Sequence, residues 1–355
     1  STPTLTTYST LLDKVYGLPW STKCEQIRRA SPYGHVKGWK LASFIMKAGE
    51  DIRREALMMQ IISKLRDWFE TDIPVPSQRP YLRPYTIMCV GGDAGMLECL
   101  ADAKSVDEVK KETDGFTSLR DYFERAYGPP TRMMRGQQQQ PLSPGSPSSV
   151  PPPLHHPGGV PAGGGGVGTT VGQISFEQAQ DNFLRSLVGY SLVCYILQIK
   201  DRHNANILLS REGHLIHIDF GFVLGDTPKM GKVPLFSERA PFKLTAEFWD
   251  VIGGWRTKEG GRGVDFCKMF EAAFQVASDH ADEIASLIEA AMLNFSRNVN
   301  EARSIANSVK ARLRMRGAKD SPEQKTFIME LVNTALTSWG TSTYDWLQRS
   351  MNGYQ

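Results

Sequence analysis

Cysteine is scarce and poorly placed for a covalent scaffold. Cys24, Cys89, Cys99, Cys194 and Cys267 are five in 355 residues, odd in number and without a CxxC pair. That spacing argues against a disulfide framework or a structural zinc ribbon and fits a reducing compartment. Excess charge of one sign is also missing. The 41 basic and 38 acidic side chains leave +3, too little for a nucleic-acid binder working through bulk charge. No apolar run approaches the roughly 18 residues of a spanning helix. The opening STPTLTTYST lacks the basic and apolar regions of a secretory signal, and the chain does not begin with Met. No internal repeat at a fixed period is visible.

What is present has ordinary globular proportions, 41% hydrophobic and 22% charged. The length suits one large two-lobed unit or two to three domains. One segment departs from this. Residues 136–172 hold 8 Pro and 10 Gly and no charged or aromatic side chain. Such a stretch buries too little apolar surface to offset its ordering entropy, so it is expected to be a disordered insertion. Its PPP run and polar tracts could recruit protein partners as a polyproline-type ligand. His155 and His156 within it have no third ligand nearby and do not form a metal site.

On either side of the insertion the pattern is structured. Residues 31–51 show short apolar stretches split by Gly, as in a hairpin. Ile52, Ala56, Met59, Ile62 and Leu65 recur at helical spacing, and Tyr85–Val90 suits a buried strand before the Gly91-Gly92 turn. Residues 174–199 carry a long helix, with Phe183, Leu187, Tyr190, Val193 and Leu197 along one face. Two strands joined at Gly213 then form a tight hairpin, and amphipathic helices follow from Leu244, broken at Gly253-Gly254, Gly260-Gly261 and Ser321-Pro322.

The chemistry concentrates in the second half. Asp201-Arg202-His203-Asn204-Ala205-Asn206 sits between a helix and a strand, where catalytic loops commonly lie. Asp219-Phe220-Gly221 follows Asn206 by thirteen residues, and the intervening hairpin can bring Asn206 and Asp219 together. An amide oxygen and a carboxylate, completed by water and phosphate, suit Mg2+ in phosphoryl transfer. Lys47 ends an apolar strand and Glu55 follows on the next helix, the arrangement of a phosphate-neutralising lysine held by an acid.

DRHNAN followed by HIDFGF resembles the catalytic core of the phosphoinositide 3/4-kinases. SPYGHVKGWKLASFIMKAGED, RPYTIMCVGGDAGMLE, FKLTAEFWDVIGG and the terminal TYDWLQRSMNGYQ look most like the beta-type phosphatidylinositol 4-kinase branch. The resemblance covers nearly the whole chain outside the insertion. It implies an α+β, bilobal protein-kinase-like fold: a small β-rich N-lobe with its hinge at 1–102 and a larger, mostly helical C-lobe at 103–355. It implies ATP and Mg2+ (or Mn2+) as cofactors, and transfer of the γ-phosphate to the 4-hydroxyl of phosphatidylinositol in a membrane surface. Within that pattern Ser31, Pro32, Tyr33 and Gly34 cover the phosphates. Lys47 contacts them and Glu55 is its partner. Tyr85 lines the inner pocket, Glu98 and Leu100 lie on the hinge, and Leu208 and Ile218 floor the base. Asp201 and His203 act on the inositol hydroxyl, with His203 preferred as proton acceptor, and Asn206 and Asp219 ligate the metal. Two positions depart from the pattern without removing a chemical group: Ala205 replaces the usual Gly or Ser, and Cys99 replaces a hinge Pro.

Residues 222–244 are expected to choose the substrate. Lys229, Lys232, Arg239 and Lys243 are dispersed there among Asp226 and Glu238. Without a dense basic box, unphosphorylated phosphatidylinositol is favoured over bisphosphorylated forms, and Lys243 matches the lysine of such members. Membrane contact is expected to be peripheral, on the Golgi or other internal membranes of the cytoplasm, with residues 344–355 as an interfacial helix or a helix packed on the large lobe. Two alternatives remain: a PI3-kinase-related Ser/Thr protein kinase, which would usually carry Leu at the position of Asn204, and a phosphatidylinositol 3-kinase. A purely adaptor role through the insertion is opposed by the intact Lys47, Asp201, His203, Asn206 and Asp219.

Overall fold

The computed structural model describes residues 10–49, 51–128, 174–225, 229–230, 233–234, 240–256, 261–296, 298–314 and 321–338. The 136–172 insertion, residues 344–355, and Lys232 and Arg239 lie outside them. Among the described residues no helix is long and apolar enough to cross a membrane.

The small lobe is a three-stranded antiparallel sheet beside one long helix. Strand β1 (Phe44–Ala48) leads into helix α3 (Arg53–Asp72), preceded in the chain by α1 (Leu11–Tyr16) and α2 (Trp20–Ala30). Strands β2 (Ile87–Cys89) and β3 (Ala94–Glu98) complete the sheet in the order β1-β3-β2, with Lys47 opposite Gly95. Helix α3 buries the face its spacing predicts, including Met59, Ile62 and Leu65. The close approach of its start to the sheet depends on Gly95, where a Cβ would lie 1.9 Å from Ile52 Cδ1.

The hairpin expected within 31–51 does not form. Residues 31–39 are successive turns, with Gly34 N–H donating to Ser31 O, Val36 to Tyr33 and Trp39 to Val36. These local bonds consume the backbone groups a strand would offer. Strand β1 pairs instead with β3.

The larger lobe begins as strand β4 (Ala103–Ser105) joins β5 (Ile207–Ser210) and β6 (Leu215–His217) in a second sheet. The β5–β6 turn carries Gly213 at φ 90°, the left-handed backbone the sequence predicts. Helix α4 (Val106–Glu112) packs on β4 and β5, and α5 (Leu119–Tyr127) on the long α6 (Phe176–Leu197). Then come α7 (Ala246–Val251), α8 (Gly263–Asp279), α9 (Ala281–Ser296), α10 (Val299–Arg312) and α11 (Pro322–Thr337), the last started by the Ser321 cap with Pro322 in its first turn. Edge-to-face aromatic contacts run from Phe123 through Phe183 to Phe248 at 5.3 and 5.8 Å. Fully burying rings of this kind contributes roughly 1.5–3 kcal/mol each. Helix α1, placed in the small lobe by a division at 102/103, packs on α4 and α5, and Tyr16 Oη donates to Ser210 O at 3.3 Å.

A clasp joins α3 to the large lobe. The His280 ring, between α8 and α9, stacks on Trp68 of α3 at 4.0 Å and 6°. Its two nitrogens meet Asp72 and Glu283, each at 2.9 Å. Burial opposes its charge, but the two carboxylates outweigh that and hold its pKa above the ordinary 6.5. A raised folded-state pKa stabilises fully below the unfolded value, and the contribution disappears as pH rises through the folded value. Chemical denaturation of the parent and of His280→Gln should therefore differ most below about pH 6.5 and converge above the folded pKa. A difference independent of pH would remove the ionic part of this clasp.

Candidate active site

The strand, the helix and the hairpin converge on one cavity of about 220 Å³. Lys47, Glu55, Tyr85, Glu98, Leu100, Asn206, Leu208, Ile218 and Asp219 all line it, nine of the residues singled out by sequence. Two further lining residues, Ile45 and Leu97, face each other in register across β1 and β3. Their signal was available: Ile45 lies two residues before Lys47, on the same face of the strand.

Lys47 Nζ is 3.6 Å from Glu55 Oε2. Glu55 is only 6% exposed, and its other oxygen accepts the phenolic hydrogen of Tyr85. Burial and the adjoining Glu55 push the Tyr85 pKa well above its ordinary value, so the phenol stays a donor. At the strand end Glu98 accepts from Thr86 N–H at 2.9 Å and salt-bridges Arg83. Burial works against its charge, but these partners prevail and lower its pKa.

Opposite this wall Asp219 adopts left-handed backbone, φ 58°, as does Asp201, φ 62°, which is not among the cavity-lining residues. Such geometry costs a non-glycine residue of order 1 kcal/mol and clusters at functional sites. Asn206 Nδ2 donates to Asp201 O at 3.1 Å, which turns its Oδ1 away from that bond. Asp219 Oδ1 accepts Gly221 N–H at 3.3 Å. An amide oxygen and a carboxylate lining one cavity are hard oxygen donors, a set that fits Mg2+ or Mn2+. Among the described residues no group of three or more His, Cys, Asp or Glu side chains could hold a metal, so such a cation would draw its remaining ligands from phosphate and water.

His203 Nδ1 accepts Ala205 N–H at 3.2 Å, and its Nε2 lies 3.9 Å from Asp201 Oδ1. A neutral ring held this way carries its proton on Nε2. Lys243, 6% exposed, reaches the same loop, with Nζ 3.3 Å from Asn204 Oδ1. Ser31, Pro32, Tyr33 and Gly34 are not among the cavity-lining residues; Tyr33 is exposed, and Gly34 O accepts Arg28 Nε–H at 2.9 Å.

Sequence reasoning gave no role to Arg202. The residue is 4% exposed, and its guanidinium donates to the carbonyls of Lys200, Asn206, Ile218 and Asp219. It thereby ties the loop carrying Asn206 to the turn carrying Asp219. No residue spacing encodes such a link.

A small sheet-and-helix lobe over a larger helical lobe, with a lysine–glutamate pair facing an asparagine and an aspartate across the cleft, defines a kinase-like catalytic domain. The family model for phosphatidylinositol 3- and 4-kinase matches residues 42–296. A phosphatidylinositol 4-kinase of Dictyostelium discoideum is 34% identical over 340 residues, 95% of this chain and 24% of that protein. Phosphatidylinositol 4-kinase beta of Xenopus tropicalis is 33% identical, and that of Sorex araneus 32%, each over 337 residues, 94% of this chain and 35% of theirs. The chain belongs to the phosphatidylinositol 3- and 4-kinase family. It spans about a quarter to a third of the length of these curated relatives.

Replacing Arg202 by Lys keeps the charge but loses the planar fork. Arg202→Lys should lower unfolding free energy by about 2 kcal/mol or more in chemical denaturation. An unchanged stability would deny Arg202 its bridging role.

Proposed function

We propose that this chain is the catalytic unit of an ATP-dependent 1-phosphatidylinositol 4-kinase, transferring the γ-phosphate to the 4-hydroxyl of phosphatidylinositol. The carrying observation is the convergence of Lys47, Glu55, Asn206 and Asp219 on one cavity, within a chain of this family. The names of its relatives support the lipid substrate and the ring position.

In this reading Ile45, Leu97, Leu100, Leu208 and Ile218 offer apolar surface to the adenine, and the hinge backbone at Glu98–Leu100 offers hydrogen bonds. Lys47, oriented by Glu55 and Tyr85, neutralises phosphate charge. The role of Ser31–Gly34 in covering the phosphates rests on resemblance alone. Asn206 and Asp219 would hold Mg2+, which would supply charge neutralisation to the nucleotide phosphates. Little covalent work is left to the protein, and the gain comes from placing the hydroxyl in line. The proton acceptor is better assigned to Asp201 than to His203. With Nδ1 occupied by Ala205 N–H, His203 offers an Nε2 proton rather than a lone pair, and so serves as donor toward Asp201 or a phosphate oxygen. The pairing of β4 with β5 supports a lobe boundary near 102/103, apart from α1.

Lys243, buried beside Asn204, is the lysine that meets the lipid headgroup phosphate. The protein works peripherally on internal membranes such as the Golgi, and the 136–172 insertion recruits protein partners; both readings rest on resemblance and composition.

Asp219→Ala should lower lipid kinase turnover by several kcal/mol of barrier, on the order of a thousandfold, while melting near the parent temperature. Wild-type turnover in that variant would sink the assignment. Substrate ranking is a second check. Phosphatidylinositol should be phosphorylated well and its 4,5-bisphosphate poorly; the opposite order would refute the reading of residues 222–244.

A further inference from the structure

A second concavity, of about 710 Å³, opens between α3, the strap Arg79–Arg83 and the first half of α6. It shares no lining residue with the nucleotide cleft. Arg66, Arg79, Arg83 and Arg185 line it, with Glu70 and Asp181. Arg66 is paired with Asp67 at 2.7 Å and Arg83 with Glu98. Arg79 and Arg185 have no carboxylate partner among the described residues. Each instead commits its Nε to a main-chain carbonyl, Ile73 O at 2.7 Å and Arg79 O at 2.8 Å. Asp181 is itself engaged by Arg262 at 2.8 Å, which leaves Glu70 to oppose two uncompensated guanidinium groups.

The scaffold fixes these groups in place. Tyr81 N–H donates to Arg185 O at 3.0 Å, and Arg83 N–H to Tyr190 Oη at 3.2 Å. Gly189 lets the strap lie so close that a Cβ there would be 2.6 Å from Tyr81 O. The local field is positive. His214, stacked on Tyr81 at 3.8 Å, is pushed down to about 4 by burial first and by Arg185 next, against Asp181.

Two rigidly held guanidinium groups without counter-ions repel each other and match the oxygen geometry of a phosphate. We propose that this hollow binds a phosphomonoester anion, with Arg79 and Arg185 as direct ligands and Arg66 and Arg83 on its rim. The phosphate could be free or on a lipid headgroup, and the experiment separates these sources. Inorganic phosphate and soluble myo-inositol 4-phosphate are titrated calorimetrically into the full chain while a nonhydrolysable ATP analogue with Mg2+ fills the cleft. Saturable binding is expected, weakened about tenfold by Arg79→Gln and by Arg185→Gln. In parallel, phosphatidylcholine vesicles with and without phosphatidylinositol monophosphate are sedimented with the same proteins. Arginine-dependent sedimentation identifies a lipid source, and soluble binding without it identifies a free one. Should either glutamine variant melt early, Arg79→Lys and Arg185→Lys, which keep the charge but lose the fork, should still weaken binding. No saturable binding in any arm, or equal binding in arginine variants that melt like the parent, overturns the proposal.

Discussion

The cleft depends on a charge that has no carboxylate to answer it among the described residues. Arg202 is buried and surrounded by main-chain oxygens, with Ile218 O at 2.7 Å and the Asp219 carbonyl beside it, and its guanidinium lies 5.4 Å from the Phe220 ring centre. A desolvated guanidinium is tolerable only when its donors are satisfied. Four carbonyls from two segments do this together, so neither segment can move without stranding the cation. Asn206 and Asp219 inherit their spacing from that constraint. Both lie at the ends of short β elements whose own pairing, Ile207 opposite His217, is too limited to fix it alone.

The opposite wall is organised around a second buried group. Glu55 is held between Lys47 and Tyr85, and its helix runs on to Trp68 and Asp72, where His280 clasps it. One helix thus carries a cleft-lining carboxylate at its start and a contact with the large lobe near its end. The two lobes are coupled through α3, and protonation of the half-buried His280 imidazole bears on the same element whose Glu55 pairs with Lys47.

Much of this was legible in the sequence because it is local. Helical spacing marked α3 and α6, Gly213 marked the β5–β6 turn, and the thirteen-residue step from Asn206 to Asp219 suited a hairpin that returns them to one place. The lining of the cleft followed from resemblance to a family. What escaped was non-local or cooperative. The 31–39 segment has the Gly pattern of a hairpin, yet its carbonyls are used in consecutive turns, a choice periodicity cannot see. Arg202 reads as one arginine among many until the carbonyls it joins are known. The bond from Ala205 N–H to His203 Nδ1 is likewise invisible to spacing. The arginine hollow unites residues from 66 to 185, too far apart in the chain for spacing to reveal.

The ring position of the transferred phosphate tests the central reading most directly. The chain is incubated with Mg2+, ATP and phosphatidylinositol vesicles, the lipid product is deacylated, and the headgroup is resolved by position. The account predicts the inositol 4-phosphate headgroup. Phosphate at the 3-position, or on added peptide with none on lipid, would contradict it.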